Sequence, residues 1–202
     1  MPNANKVEIL TIGNELLLGI RTNTHLTYLG KQLSLLGLNI QHCQVIPDDP
    51  KEIQSAIALA LTRSTLIIVT GGLGPTEDDM TRESVAYALN KELIYNDTVL
   101  ESIKEYFSKI GRGVSSIHKK QCFQIEGSTI MKNERGTAPG LFVENGESVI
   151  ALLPGPSHEL IPMFQNQLVP LLKDKSFCAQ AANYVQIRVC GIGESSVEEL
   201  IL

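Results

Sequence analysis

The sequence predicts a doubly wound α/β domain, a mostly parallel sheet with helices on both faces. Three observations carry that expectation. Short β-type runs alternate with helical runs at the spacing of βαβ units, and such units impose right-handed crossovers and parallel strands. The run LIIVT at 66–70 is continuously apolar, as suits a strand covered on both faces. Glycine- and proline-rich segments follow the apolar runs, at the strand ends where open α/β sheets bind ligands.

The first strand is expected in KVEILTI (6–12), ending at Gly13. Leu26, Leu29, Leu33 and Leu36 then recur at helical spacing until Gly37 stops the pattern. NIQHCQVI (39–46) alternates as a second strand, and Asp49-Pro50 supplies an N-cap followed by proline at the first helical position. Ile53, Ala56, Ile57, Ala60 and Leu61 form the apolar stripe of that helix, which leads into LIIVT. Further helices are expected over 79–89 and 98–110, the second capped by Asp97 and stopped by Gly111. STIMKN (128–133) and GLFVENGESVIALLP (140–154) read as strands with a hairpin at Asn145-Gly146, and a helix starting near Ser157 closes the domain.

After a linker-like stretch at 174–183, residues 184–202 read as a strand carrying Val185, Ile187 and Val189, a glycine turn, and a helix with Val197, Leu200 and Ile201 on one face. The expected organisation is therefore a main domain over 1–173 and a short strand-helix appendage, the start of a second small unit.

The formal net charge of -5 and the absence of a concentrated Lys/Arg cluster argue against a nucleic-acid partner, which requires a basic footprint to release counterions. The apolar runs are too short to span a bilayer and the N-terminus has no apolar signal core, so no membrane partner and a cytoplasmic location are expected. Cys43, Cys122, Cys178 and Cys190 are scattered and read as structural thiols. His25, His42, His118 and His158 lack metal-binding spacing, and HKKQ at 118–121 reads as a solvated patch.

The loops at the strand ends concentrate the chemistry. GNELLLG, PDDP, GGLGPTEDD and PGPSHE follow successive strands and should share one rim. Gly71, Gly72 and Gly74 let backbone amides face a phosphate, with a helix dipole behind them. Glu77, Asp78 and Asp79 beside a diphosphate would repel it unless a cation intervened, and oxygen ligands of this kind suit Mg²⁺ or Mn²⁺. Glu77 reads as a helix-dipole residue and Asp49 as a cap, whereas Asp48 and Asp79 stand on separate loops able to approach one ion. NERGTAPG (133–140) is a further turn rich in backbone donors.

IGNELLLG, VTGGLGPTEDDMTRE, NERGTAPG and LLPGPSHEL, in that order, resemble the signatures of the CinA family's N-terminal domain, itself similar to the molybdopterin-binding, MogA-like fold. The resemblance covers 6–172. It implies a divalent-metal-dependent phosphoanhydride enzyme using Mg²⁺, Mn²⁺ or Co²⁺, and leaves room for a monovalent cation. The implied reaction is ADP-ribose pyrophosphatase, yielding AMP and ribose 5-phosphate from an adenine nucleotide diphosphate. Alternatives are molybdopterin adenylyl transfer and a non-catalytic nucleotide-binding or competence-associated module.

The family's acidic pair falls on Asp48 and Asp79, as catalytic and metal residues. Ligand contacts are implied for Gly13, Asn14 and Glu15; for Gly71, Gly72, Gly74, Pro75, Thr76 and Asp78; for Asn133, Gly136, Thr137 and Gly140; and for Pro154, Gly155, Pro156 and Glu159. Two departures stand out: Asn14 replaces the family's common Asp, removing one charge, and GIRTNTH is shorter than the usual stretch before its Thr-Asn. The amidohydrolase domain of full-length CinA proteins lies outside these residues, so its nicotinamide mononucleotide deamidase activity is not carried over. A homodimer is expected from the resemblance and from the prevalence of two-fold assemblies.

Overall fold

The computed structural model describes residues 5–178 and 189–201, and the structural statements below concern those residues. In chain order the elements are β1 (Val7–Ile12), α1 (Asn14–Leu17), α2 (Thr24–Leu35), β2 (Ile40–Ile46), α3 (Pro50–Leu61), β3 (Leu66–Thr70), α4 (Thr81–Ala88), β4 (Leu93–Tyr95) and α5 (Asp97–Lys109). They continue with β5 (Phe123–Ile125), β6 (Thr129–Met131), β7 (Gly140–Asn145), β8 (Ser148–Leu153), α6 (Ser157–Met163), α7 (Val169–Asp174) and α8 (Glu194–Ile201).

Six strands form one sheet in the order β2-β1-β3-β8-β7-β6. β2, β1, β3 and β8 are parallel, and β7 and β6 complete the sheet antiparallel. Side chains alternate across it with a period of two. Leu10, Ile12, Ile67 and Val69 pack with Ile53 and Ile57 of α3 and Val85 of α4 on one face. Val7, Ile9, Leu66 and Ile68 pack with Leu29 and Leu33 of α2, Leu160 of α6 and Leu172 of α7 on the other. Each such burial contributes about 1.5–3 kcal/mol. This doubly wound, mostly parallel arrangement is the fold class the sequence predicts.

The details differ at element ends. α4 begins at Thr81 rather than 79, because the Asp79 carboxylate turns back to accept from the Thr76 amide at 2.9 Å. The cap of α5 is Asn96, whose side chain accepts from the Thr98 amide at 2.9 Å, and Asp97 becomes a first-turn residue. In the β7–β8 hairpin Asn145 pairs with Ser148, so the turn centres on Gly146-Glu147, with positive φ at Gly146. That is the type II′ pattern instead of an Asn-Gly centre. The short antiparallel pair of β4 and β5 had no legible sequence signal.

The patch at 118–121 is not the solvated surface its composition suggests. It lies on a 3-10 segment, Ser116–Cys122, in which Gln121 is buried and Lys120 reaches into the acidic loop. Of the predicted appendage, the helix is present as α8, while most of the strand and linker falls at 179–188, outside the described residues.

Candidate functional site

β1, β2 and β3 all end on the same side of the sheet, so the segments that follow them meet there. The Gly13 amide donates to Ile46 O at 3.0 Å, tying the first two strand ends together. Beyond that tie, the Asn14 amide donates to Asp48 Oδ2 at 2.8 Å and the Asp48 amide donates to Asn14 Oδ1 at 3.4 Å. Asn14 thus fixes Asp48 by a reciprocal pair of bonds, keeping one carboxylate oxygen engaged.

The glycine loop after β3 is braced from its carbonyl side. Gly71 O accepts from the Thr81 hydroxyl at 2.9 Å and Gly72 O from the Thr81 amide at 3.1 Å. Leu73 O accepts from the Arg82 guanidinium at 3.3 Å and from Gln121 Nε2 at 3.4 Å. Thr76 O accepts from Lys120 Nζ at 2.6 Å. With its carbonyls held inward, the loop leaves the amides of Gly72, Leu73 and Gly74 without an acceptor among the described residues. An unpaired run of N–H donors ahead of a helix is an anion cradle.

Two glycines there are required by shape. Gly71 has φ +95 and a Cβ on it would strike Ile12 O; Gly72 has φ +64 and its Cβ would strike the Thr81 hydroxyl. Arg82 is the unexpected member. Its guanidinium is fully buried, bonds Lys120 O at 3.1 Å as well as Leu73 O, and lies 3.8 Å from Glu83.

Asp48, Asp78 and Asp79 line the same crevice. Asp79 Oδ2 accepts from both the amide and the hydroxyl of Thr76. Burial pushes the Asp48 carboxyl above its ordinary range; the Asn14 amide opposes this, and the like charges of Glu15, Asp78 and Asp79 add to the upward push. Burial holds His25 below its ordinary range against the pull of Glu15.

Two chambers adjoin at this rim. The larger, about 360 Å³, is lined by Thr11, Gly13, Glu15, Arg21, Asn23, His25, Asp48, Thr70, Gly71 and Asp78, among others. The smaller, about 300 Å³, is lined by Leu73, Gly74, Pro75, Gln121, Thr137, Pro154 and Glu159, among others. Gly72, Asp79, Gly155 and Pro156 belong to both and form the wall between them. Each chamber has a buried polar atom without a partner in its lining residues: the Thr70 hydroxyl in the larger and Gln121 Oε1 in the smaller.

The remaining motif residues act around these chambers. Asn133 Nδ2 donates to Ala138 O at 2.8 Å and to Glu159 Oε2 at 2.6 Å, folding the 133–139 turn onto α6. Gly136 presses on the Glu159 carboxylate, where a Cβ would come within 2.6 Å of Oε1. Asn133, Gly136 and Thr137 also line a third cavity of about 180 Å³ against α5. Asn14 and Thr76 line neither chamber and act through Asp48 and Asp79. Gly140 is not at the crevice: it is the buried first residue of β7, where a Cβ would meet Leu152 O at 2.7 Å. Close backbone packing explains that glycine without a ligand.

Among the described residues no group of three or more His, Cys, Asp or Glu side chains is arranged to hold a metal ion. Asp48 and Asp79 nonetheless suit Mg²⁺ or a similar hard ion, which is commonly held by one or two carboxylates with substrate phosphate and water filling the other positions. The upward push on Asp48 from neighbouring carboxylates is the electrostatic deficit that such a cation would relieve.

Comparison with known proteins identifies the family. The family model described as "Probable molybdopterin binding domain" matches residues 8–174. The solved structure of CinA from Thermoplasma acidophilum, described as of unknown function, is 32% identical with a TM-score of 0.77, covering 84% of this chain and 99% of that one. The chain belongs to the CinA family. A Bacillus pumilus relative named "Putative competence-damage inducible protein" is 43% identical over 98% of this chain and 48% of its own length. The chain thus spans about half the length of the curated relatives it matches. MoaB from Pyrococcus furiosus, a tungsten cofactor synthesizing protein, aligns at 18% identity with a TM-score of 0.53, covering 86% of this chain and 98% of that one, a likeness of fold alone. Among the described residues no helix is long and apolar enough to cross a membrane.

Arg82, Gln121, Lys120 and Thr70 were not selected from the sequence. Arg82 carried a usable signal: it occupies the same apolar stripe as Val85, Ala86 and Leu89, and a charged residue in a buried stripe must be paired inside. Gln121 and Lys120 carried none, because their contacts with the glycine loop and α4 lie 38 or more residues away in sequence.

Proposed function

We propose that this crevice binds a nucleoside diphosphate-linked compound and hydrolyses its phosphoanhydride in a divalent-metal-dependent reaction, with ADP-ribose as the substrate that suits it. The observation that carries the reading is the shared wall: two chambers meet at Gly72, Asp79, Gly155 and Pro156, as the two arms of such a molecule meet at its diphosphate. The larger chamber takes the adenylyl arm and the smaller the other.

The unpaired amides of Gly72, Leu73 and Gly74 face the charge that builds on phosphoryl oxygens, and because their carbonyl sides are already fixed they need no reorganisation. Asp48 and Asp79 would hold Mg²⁺, Mn²⁺ or Co²⁺. Such an ion supplies Lewis-acid polarisation of a phosphoryl oxygen and a more acidic water. In the overall step the oxygen of water bonds one phosphorus, the bridging P–O bond breaks, and the bridging oxygen leaves with the other phosphate. For ADP-ribose the products are AMP and ribose 5-phosphate, with release of the water protons. The chain is further proposed to act as a homodimer; a monomer mass by light scattering at micromolar concentration would count against that.

Product identification after incubation with ADP-ribose, FAD, NAD, or ATP plus a pterin, each with and without Mg²⁺, Mn²⁺ or Co²⁺, tests the proposal. Metal-dependent AMP and ribose 5-phosphate support it. An adenylylated pterin would point to transferase chemistry, and binding without products would make the domain a nucleotide-binding module.

A further inference from the structure

We infer that Gln167 is a positioning residue for the crevice: it sets the register of the 133–139 turn against α6 and so places one wall of the smaller chamber. The inference rests on the diphosphate reading above and concerns a side chain that lines neither chamber. Among the described residues β6 is the outermost strand on its side of the sheet. Just past its end, the side-chain amide of Gln167 pairs with the chain as a further strand would. The Lys132 amide donates to Gln167 Oε1 at 2.6 Å, and Gln167 Nε2 donates to Lys132 O at 2.6 Å. A backbone N–H only donates and a carbonyl only accepts, so both ends of the side-chain amide are assigned.

The helix is built to bring that side chain there. α6 and α7 run into one another through a π turn at Phe164–Leu168, where the Val169 amide donates to Phe164 O. Pro170 follows the wide turn and has no N–H to give to Asn166 O. In an uninterrupted α-helix seven residues make about two turns, which would stand Asn166 over Glu159. A π turn takes up one residue more, so Gln167 comes to that place, and Glu159, Gln167 and Lys132 line one small cavity. The turn is thereby tied to a single helix through consecutive residues: Lys132 to Gln167, and Asn133 to Glu159. One tie alone would let the turn pivot about the Asn133 side chain; the second fixes its direction. What the double tie places is Thr137, Ala138 and Glu159, all members of the smaller chamber's lining.

Q167M keeps the length of the side chain and removes both hydrogen bonds, and two readouts test the assignment. Without ligand, hydrogen exchange followed by mass spectrometry should show segment 132–138 exchanging about 10-fold faster than in the unsubstituted 202-residue chain, with β3 and β8 unchanged. In steady-state kinetics with ADP-ribose and Mg²⁺, KM should rise about 3- to 10-fold while kcat stays within about twofold. N133A/Q167M should raise KM by clearly less than the product of the two single effects, because both side chains hold the same turn. Q167A should match Q167M and guards against a misfit of the methionine. Unchanged exchange at 132–138 would overturn the clamp. Faster exchange with an unaltered KM, or KM effects that simply multiply, would reduce Gln167 to a cover for the sheet edge and overturn its positioning role. Absence of metal-dependent turnover in the unsubstituted chain would instead overturn the hydrolytic reading itself, and the exchange data alone would then decide the clamp.

Discussion

Gly72→Ala is the sharpest test of how the glycine loop is built. Gly72 has φ +64, and an added Cβ would collide with the Thr81 hydroxyl and approach Thr81 Cβ at 3.2 Å. Thr81 cannot swing aside freely: it is buried, its hydroxyl bonds Gly71 O at 2.9 Å, and its amide bonds Gly72 O at 3.1 Å. The left-handed conformation costs about 1–2 kcal/mol for alanine. Displacing Thr81 adds about 1–3 kcal/mol for overpacking and about 1 kcal/mol for the lost hydrogen bond. The sum is about 3–6 kcal/mol, or roughly 6–24 °C in Tm at the ~2–4 °C per kcal/mol expected for a domain of this size. Gly146→Ala is the internal control, since Gly146 has φ +61 with nothing within 4 Å of its added Cβ, so only the conformational part applies. Thermal unfolding of both variants beside the unsubstituted chain should show a Tm loss at least twice as large for Gly72→Ala. Equal losses would refute the claim that Thr81 locks the loop.

Three further outcomes are expected. Glu8 lies fully buried in β1; burial pushes its carboxyl up, but hydrogen bonds from Arg63, Gln44 and Ser64 and the Arg63 charge prevail and hold it below the ordinary value of 4.5. Its stabilisation is then complete above that value and is lost as pH falls through the lower folded value, so urea unfolding of E8Q should be weaker by about 1–3 kcal/mol at neutral pH and flatter on acidification. N14D should add a carboxylate to the cluster of Glu15, Asp48, Asp78 and Asp79, lowering metal-free stability by about 0.5–1 kcal/mol while strengthening Mg²⁺ affinity up to about 10-fold by calorimetry; unchanged metal affinity would show that the family's Asp serves another purpose. N133A removes the bridge to Glu159 and Ala138 O, and steady-state kinetics should show KM for ADP-ribose rising about 3- to 10-fold with kcat little changed.

The sheet was legible because β3 is buried on both faces and so appears as a nearly uninterrupted apolar run, and because Asp49-Pro50 and Gly37 mark helix ends by local backbone chemistry. The rim was legible for the same local reason, since Gly71 and Gly72 advertise backbone that other residues cannot adopt. What holds the rim was not. Arg82, Lys120 and Gln121 reach the glycine loop by folding back from α4 and from the 3-10 segment, and no local pattern fixes where a long polar side chain ends. Gly140 shows the converse error: a glycine inside a loop motif suggested ligand contact, whereas close packing against Leu152 O accounts for it.

The central claim is that Asp79 acts together with a divalent ion at the wall between the two chambers. Release of AMP and ribose 5-phosphate from ADP-ribose, followed at saturating Mg²⁺ for the unsubstituted chain and for D79N with its fold verified by circular dichroism, tests it most directly. Metal-dependent release by the unsubstituted chain and a fall of at least ~10- to 100-fold in D79N are the predicted results. Release that persists undiminished in D79N, or that proceeds equally well with the metal chelated, would contradict the claim.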